Sequence, residues 1–177
     1  MVSLLIPIEE VEEVPMQTQT SPKLAVLTSD DVRRMIKEAV ANSEKKVDLS
    51  GRTIKSIEFK GFDVPVSLDL NGSVIQGNVS IELGNFTGDY IDLDDARVRG
   101  AISLNALGKH GFSLFLRRAS VTGGDRGRYA VWLNRVSLGW LCIGGLRVGK
   151  GVKQLWTKEV LLDNCISFER NAGVHSG

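Results

Sequence analysis

Cysteine and histidine are scarce in this chain, at two residues each among 177, and that scarcity closes off several classes of function. Cys142 and Cys165 form no Cys-x-x-Cys pair and stand near no histidine at metal-ligand spacing, so no disulfide framework and no metal site is expected. Both read as buried free thiols. His110 lies in the turn-like Gly108–Gly111 and His175 close to the C-terminal end, neither with an evident carboxylate or cysteine partner in the sequence. No catalytic residue and no cofactor is expected from them. Long hydrophobic runs are missing too. The apolar opening Met1–Ile8 is short, has no basic residue before it and runs into Glu9, Glu10, Glu12 and Glu13, which fits neither a signal peptide nor a membrane span. A cytoplasmic protein without a membrane partner is the expectation. With 42% hydrophobic and 24% charged residues and only 4 prolines, the chain is neither disordered nor collagenous, and one sizeable core is expected.

Residues 1–28 read as an extended N-terminal segment, Val2–Val14, followed by a polar linker from Pro15 to Pro22. Val2–Val14 alternates enough to add as a strand to an open sheet edge, its own or another subunit's. Thr28 and Ser29 then stand before Asp30 and Asp31, a helix start in which hydroxyls cap orphan amides and carboxylates sit at the positive pole. The helix is expected over 29–46, with Val32, Met35, Ile36, Ala39 and Val40 forming one apolar stripe.

From Val47 the pattern changes to short apolar alternations punctuated by glycine. One unit recurs: Leu93-Asp-Asp-Ala96-Arg-Val98, Leu116-Arg-Arg-Ala119-Ser-Val121, Leu133-Asn-Arg-Val136-Ser-Leu138 and Ile143-Gly-Gly-Leu146-Arg-Val148. Spacings of ten to thirteen residues suggest two such units per coil, and the one longer step, through Gly123–Arg128, reads as a loop inserted at a corner. Units that cannot bury an apolar face alone do so by stacking. The expected fold is therefore an all-β, single-stranded β-solenoid over 47–153, with the 29–46 helix capping its N-terminal end and 154–177 as C-terminal cap and tail. A two-sheet β-sandwich is the alternative.

Leu49, Ile54, Phe59 and Val64 recur every five residues, and Val74 and Val79 return to the same phase. In this the segment from Val47 to about Val148 resembles the pentapeptide-repeat family and, more loosely, the right-handed β-helices of the bactofilin kind. The resemblance implies a right-handed β-helix. It departs from the regular square coil of pentapeptide repeats, because Val47, Arg52, Ile57 and Phe62 stand where that family keeps small residues. Members of that family that mimic DNA do so with an acidic surface, which the basic segment described next argues against here.

The formal net charge of +1 hides a strong polarity. Residues 1–96 carry 9 Lys/Arg against 17 Asp/Glu, while residues 97–153 carry 11 against the single Asp125. Sequence order in a solenoid is spatial order along its axis, so an acidic end and a basic end are expected. Two readings follow. In the first, the protein is a non-enzymatic scaffold that self-associates into homo-oligomers, the acidic portion of one copy meeting the basic portion of the next. In the second, the segment binds nucleic acid or another polyanion through Arg97, Arg99, Arg117, Arg118, Arg126, Arg128, Arg135 and Arg147, with Tyr129 and Trp132 beside them.

Other chemistry reads as structural. Asp92 and Asp94 share a strand face with Asp89 and Asp95 nearby, yet Ile91 and Leu93 point inward, which puts the carboxylates on the solvent side. Gly123–Arg128 lacks the Gly-Lys-Ser/Thr of a phosphate loop, and no helix pattern follows it. Asn71, Asn78 and Asn85 head glycosylation triplets that read as turn residues.

Overall fold

From Lys46 onward the chain winds through short strands that pair only in parallel, in a computed structural model that describes residues 25–107, 111–124, 128–162 and 166–167. The strands sort into three faces. Face I stacks Lys46–Asp48, Ser67–Asp69, Tyr90–Asp92, Phe112–Phe115, Ser137–Cys142 and Leu161–Leu162, with Ile166–Ser167 also joined to the fifth. Face II stacks the two-residue strands Thr53–Ile54, Val74–Ile75, Arg97–Val98, Ser120–Val121 and Arg147–Val148. Face III stacks Ile57–Lys60, Val79–Glu82, Ile102–Asn105, Tyr129–Asn134 and Lys153–Lys158. This is a β-solenoid of about five coils, and its all-parallel pairing excludes the sandwich.

Inward side chains stack in columns: Val47, Leu68, Ile91, Leu114 and Leu141 on face I, Ile54, Ile75, Val98 and Val121 on face II, Ile57, Val79, Ile102 and Val131 on face III, nearly all of them fully buried. Burying each such side chain contributes about 1.5–3 kcal/mol. The face I column shows successive coils of 21, 23, 23 and 27 residues, each with one strand on every face. The ten-to-thirteen spacing arises because two corners share one geometry. Between faces I and II a left-handed residue recurs as Gly51, Gly72, Asp95, Arg118 and Gly145; between faces III and I it recurs as Gly61, Leu83, Ala106, Arg135 and Glu159. All but Glu159, which follows Thr157, come two positions after an inward apolar residue, so the unit at Leu133 mimics those at Leu93, Leu116 and Ile143 although it turns a different corner. The longest coil gains its residues between Val121 and Tyr129, at the expected inserted loop, of which 125–127 lie outside the described residues.

At the third corner, between faces II and III, coils approach closely. A Cβ at Gly100 would press on the Asn78 side chain and the Gly77 backbone, and one at Gly123 on the Gly100 backbone. A single bridge, Val64 to Phe86, marks a fourth side in the first two coils, where the five-residue recurrence is most regular.

The helix α1 (Ser29–Ala41) covers the N-terminal end and gives way to the first strand at Lys46. Thr28 is its N-cap: the Asp31 amide donates to Thr28 Oγ1 at 3.2 Å, and the Thr28 amide donates back to Asp31 Oδ2 at 2.9 Å. Val32, Ile36 and Ala39 are buried against the first coil. The strand edges beneath find partners in the cap as well. The Leu27 amide donates to the Thr53 carbonyl, the Lys55 amide to the Leu27 carbonyl, the Glu58 amide to Ser29 Oγ, and Arg33 Nη2 to the Glu58 carbonyl at 2.6 Å. No described helix is long and apolar enough to cross a membrane.

Candidate interaction surfaces

Outward positions on face II fall into two columns because strands alternate and every coil repeats the register. One runs Thr53, Val74, Arg97, Ser120, Arg147; the other includes Lys55, Gln76, Arg99 and Thr122. Neither contains a carboxylate. Arg97, Val98, Arg99, Ser120, Thr122 and Arg147 line a shallow depression of about 550 Å³. All three arginines are exposed, and none forms an ion pair among the described residues. Adjacent strands lie about 4.8 Å apart, so Arg97 and Arg147 stand roughly 10 Å from each other across the Ser120 rung. At that range their repulsion is modest and screened by salt, and an anion seated between them is favoured.

Arg117, Arg118 and Arg135 are otherwise engaged. Where the acidic coils give way to the basic ones, Asp94 and Asp95 lie directly beneath Arg117 and Arg118. Asp94 is 2% exposed and takes the Arg117 amide on Oδ1 and the Arg117 Nε on Oδ2, both at 2.6 Å. Asp95 receives a two-pronged contact from Arg118, Nε to Oδ1 at 2.8 Å and Nη2 to Oδ2 at 2.6 Å. The Arg118 guanidinium holds the Asp95 carboxyl below its usual range, and Asp94 raises the basicity of Arg117. Arg135 donates from Nε to Glu159 Oε2 at 3.0 Å. The acidic and basic segments therefore meet inside one molecule, at one corner, as well as forming its two ends. Arg128 is exposed near the inserted loop, and Arg126 lies outside the described residues.

The aromatic residues stand apart from this depression. Tyr129 and Trp132 belong to face III, where Lys153 Nζ sits 5.3 Å above the Tyr129 ring and Trp132 is stacked on Trp156 at 4.9 Å, only 5% exposed. Trp132 is thus not free to stack on a base. Sequence reading did not single out Ser120 and Thr122; they emerge once the 23-residue step is known, since each stands one coil above an arginine.

On face I, Asp48, Asp69 and Asp92 form an outward column. Each closes its own corner by accepting an amide two residues on, from Ser50, Asn71 and Asp94. Burial raises the Asp92 carboxyl, against the hydrogen bond from the Asp94 amide, and Lys46 pairs with Asp69 at 3.1 Å. The reading of Asp92 and Asp94 as two solvent-side carboxylates is corrected for Asp94, which turns into the corner because Leu93 ends the alternation there. Among the described residues no group of His, Cys, Asp and Glu is placed to hold a metal ion. His110, Asp125, Cys165 and His175 lie outside the described residues. Cys142 is half-buried, and burial pushes its thiol up.

No protein-family model, curated protein or solved structure matches this chain.

Proposed function

We propose that the protein is a non-enzymatic β-solenoid scaffold that binds nucleic acid through the phosphate backbone, using face II. The observation that carries this reading is the sorting of the arginines: Arg117, Arg118 and Arg135 pair with carboxylates, whereas Arg97, Arg99 and Arg147 converge with no ion pair among the described residues, beside the hydroxyls of Ser120 and Thr122. Guanidinium forks and hydroxyls suit phosphate oxygens. A face with no aromatic side chain among its outward positions is suited to backbone contact rather than base stacking. A kinship with pentapeptide-repeat or bactofilin β-helices is part of the proposal; it is supported by Leu49, Ile54, Phe59 and Val64, which recur every five residues and are all buried.

The test is fluorescence anisotropy with a 24-base-pair DNA duplex and an RNA of the same length, titrated over a salt series. Three phosphate contacts give a slope of log affinity against log salt of about −2.7 on duplex DNA. Arg97→Gln with Arg99→Gln and Arg147→Gln is expected to weaken binding at least tenfold and to flatten that slope, while Arg135→Gln leaves both unchanged. Equal binding by the triple variant, or binding indifferent to salt, overturns the reading.

A further inference from the structure

The C-terminal end of the solenoid carries a second surface, independent of face II. Strand Lys153–Lys158 pairs along one side with Tyr129–Asn134, and among the described residues nothing pairs with its other side. The core behind it is thinly covered. Val148, Val152, Leu155 and Val160 are only partly buried, Leu161 is 69% exposed and Leu162 39%. The opposite end differs, since α1 and Leu27 occupy the first-coil edges of faces II and III.

An open edge over an apolar interior accepts a further strand, and its flanking charges select which one. Lys153 and Lys158 stand exposed at the two ends of this edge, with Arg147 and Lys150 beside it, and among the described residues Glu159 is the one acid next to it in the chain. They oppose a second copy of the same strand and favour one bearing carboxylates. The sequence holds a suitable segment in Val2–Val14: Val2, Leu4, Ile6 and Ile8 alternate, Glu9, Glu10, Glu12 and Glu13 follow around Val11, and it has no cation. Residues 168–177, the other segment that could reach the edge, hold one Glu and one Arg and show no such alternation. We propose that residues 2–14 of a second copy add to the Lys153–Lys158 edge, so that copies associate with the N-terminal segment of one on the C-terminal end of the next. To reach its own edge, the segment would need the linker before Ala25 drawn out along the whole stack. A neighbouring copy imposes no such extension. The contact is heterologous: it closes by reciprocal exchange into a dimer or continues into longer assemblies.

Sedimentation velocity of the full chain over a concentration series, at low and at high salt, reads this out. Concentration-dependent association at low salt, weakened by high salt, is expected. Lys153→Glu with Lys158→Glu is expected to weaken association at least tenfold. The fourfold change of Glu9, Glu10, Glu12 and Glu13 to Lys is expected to do the same, and an equimolar mixture of the two variants is expected to restore it. Circular dichroism of each variant verifies that the solenoid is folded. A monomer at every concentration, as results if the segment lies on its own edge, overturns the proposal. Association that survives both variants, or that mixing fails to rescue in folded variants, overturns it equally. Because no face II arginine is altered, failure here leaves the nucleic-acid reading to stand or fall on its own titration.

Discussion

Ser73 illustrates how much a single position in a stacked corner is constrained by its neighbours. Its side chain is fully buried and its Oγ has no hydrogen-bond partner, whereas the equivalent positions one and two coils later are Ala96 and Ala119. A buried unsatisfied hydroxyl costs about 1–3 kcal/mol. Ser73→Ala is therefore expected to stabilise the protein by roughly 1 kcal/mol, read as a rise in the urea midpoint with an unchanged m-value; a drop in the midpoint would show that the hydroxyl is satisfied. This scale was only partly legible in the sequence. Inward positions such as Leu93, Ala96 and Val98 follow from alternation, because apolar residues must leave water. Which arginine meets which carboxylate does not, since Asp94 and Arg117 are neighbours only through a 23-residue register that no local spacing reveals. The same register hides the face II depression, whose members come from three different coils.

Elements tell a complementary story. The start of α1 was readable at Thr28, Asp30 and Asp31 because capping is local chemistry, and the structure places the cap at Thr28 with Asp31 completing the box. Two units share a coil of three strands because a left-handed corner prints the same apolar pattern at two places per turn, as Arg118 and Arg135 show. Capping also has a pH signature. The Thr28 backbone amide, then its hydroxyl and the Arg34 guanidinium, hold the Asp31 carboxyl below its ordinary value. A carboxyl depressed in the folded state contributes stability that is present above its unfolded pKa of about 3.9 and lost as pH falls through the folded value. Asp48 and Asp95 act in the same direction; Asp92, raised by burial, acts oppositely, its contribution being lost as pH rises. Asp31→Asn is thus expected to lower the thermal midpoint at pH 7, with the gap from the parent protein narrowing below pH 4. A gap that stays constant down to pH 2.5 would mean that the carboxylate charge has no part in the cap.

At the scale of the whole molecule, a stack of coils joined only to nearest neighbours opens from its ends, since an end coil loses contacts on one side alone. The two ends are unequal. α1 closes the first coil with Val32 and Ile36 buried and supplies hydrogen bonds to the Ile57–Lys60 edge, while Leu27, just before it, bonds the edge at Thr53 and Lys55. The last coil ends on Arg147–Val148 and Lys153–Lys158, whose inward residues Val148 and Leu155 are only partly buried. Native-state hydrogen exchange at low protein concentration is expected to show a gradient. Amides of Ile75, Ile81, Ile91, Val98 and Leu104 should exchange slowest, at rates set by global unfolding, those of the first coil somewhat faster, and those of Lys153–Lys158 fastest. Raising the protein concentration at low salt should slow exchange in Lys153–Lys158 without altering the central coils, because a strand added to that edge engages its free amides. Uniform protection in all five coils would show instead that the solenoid unfolds as one unit and that its C-terminal end is already closed within a single chain.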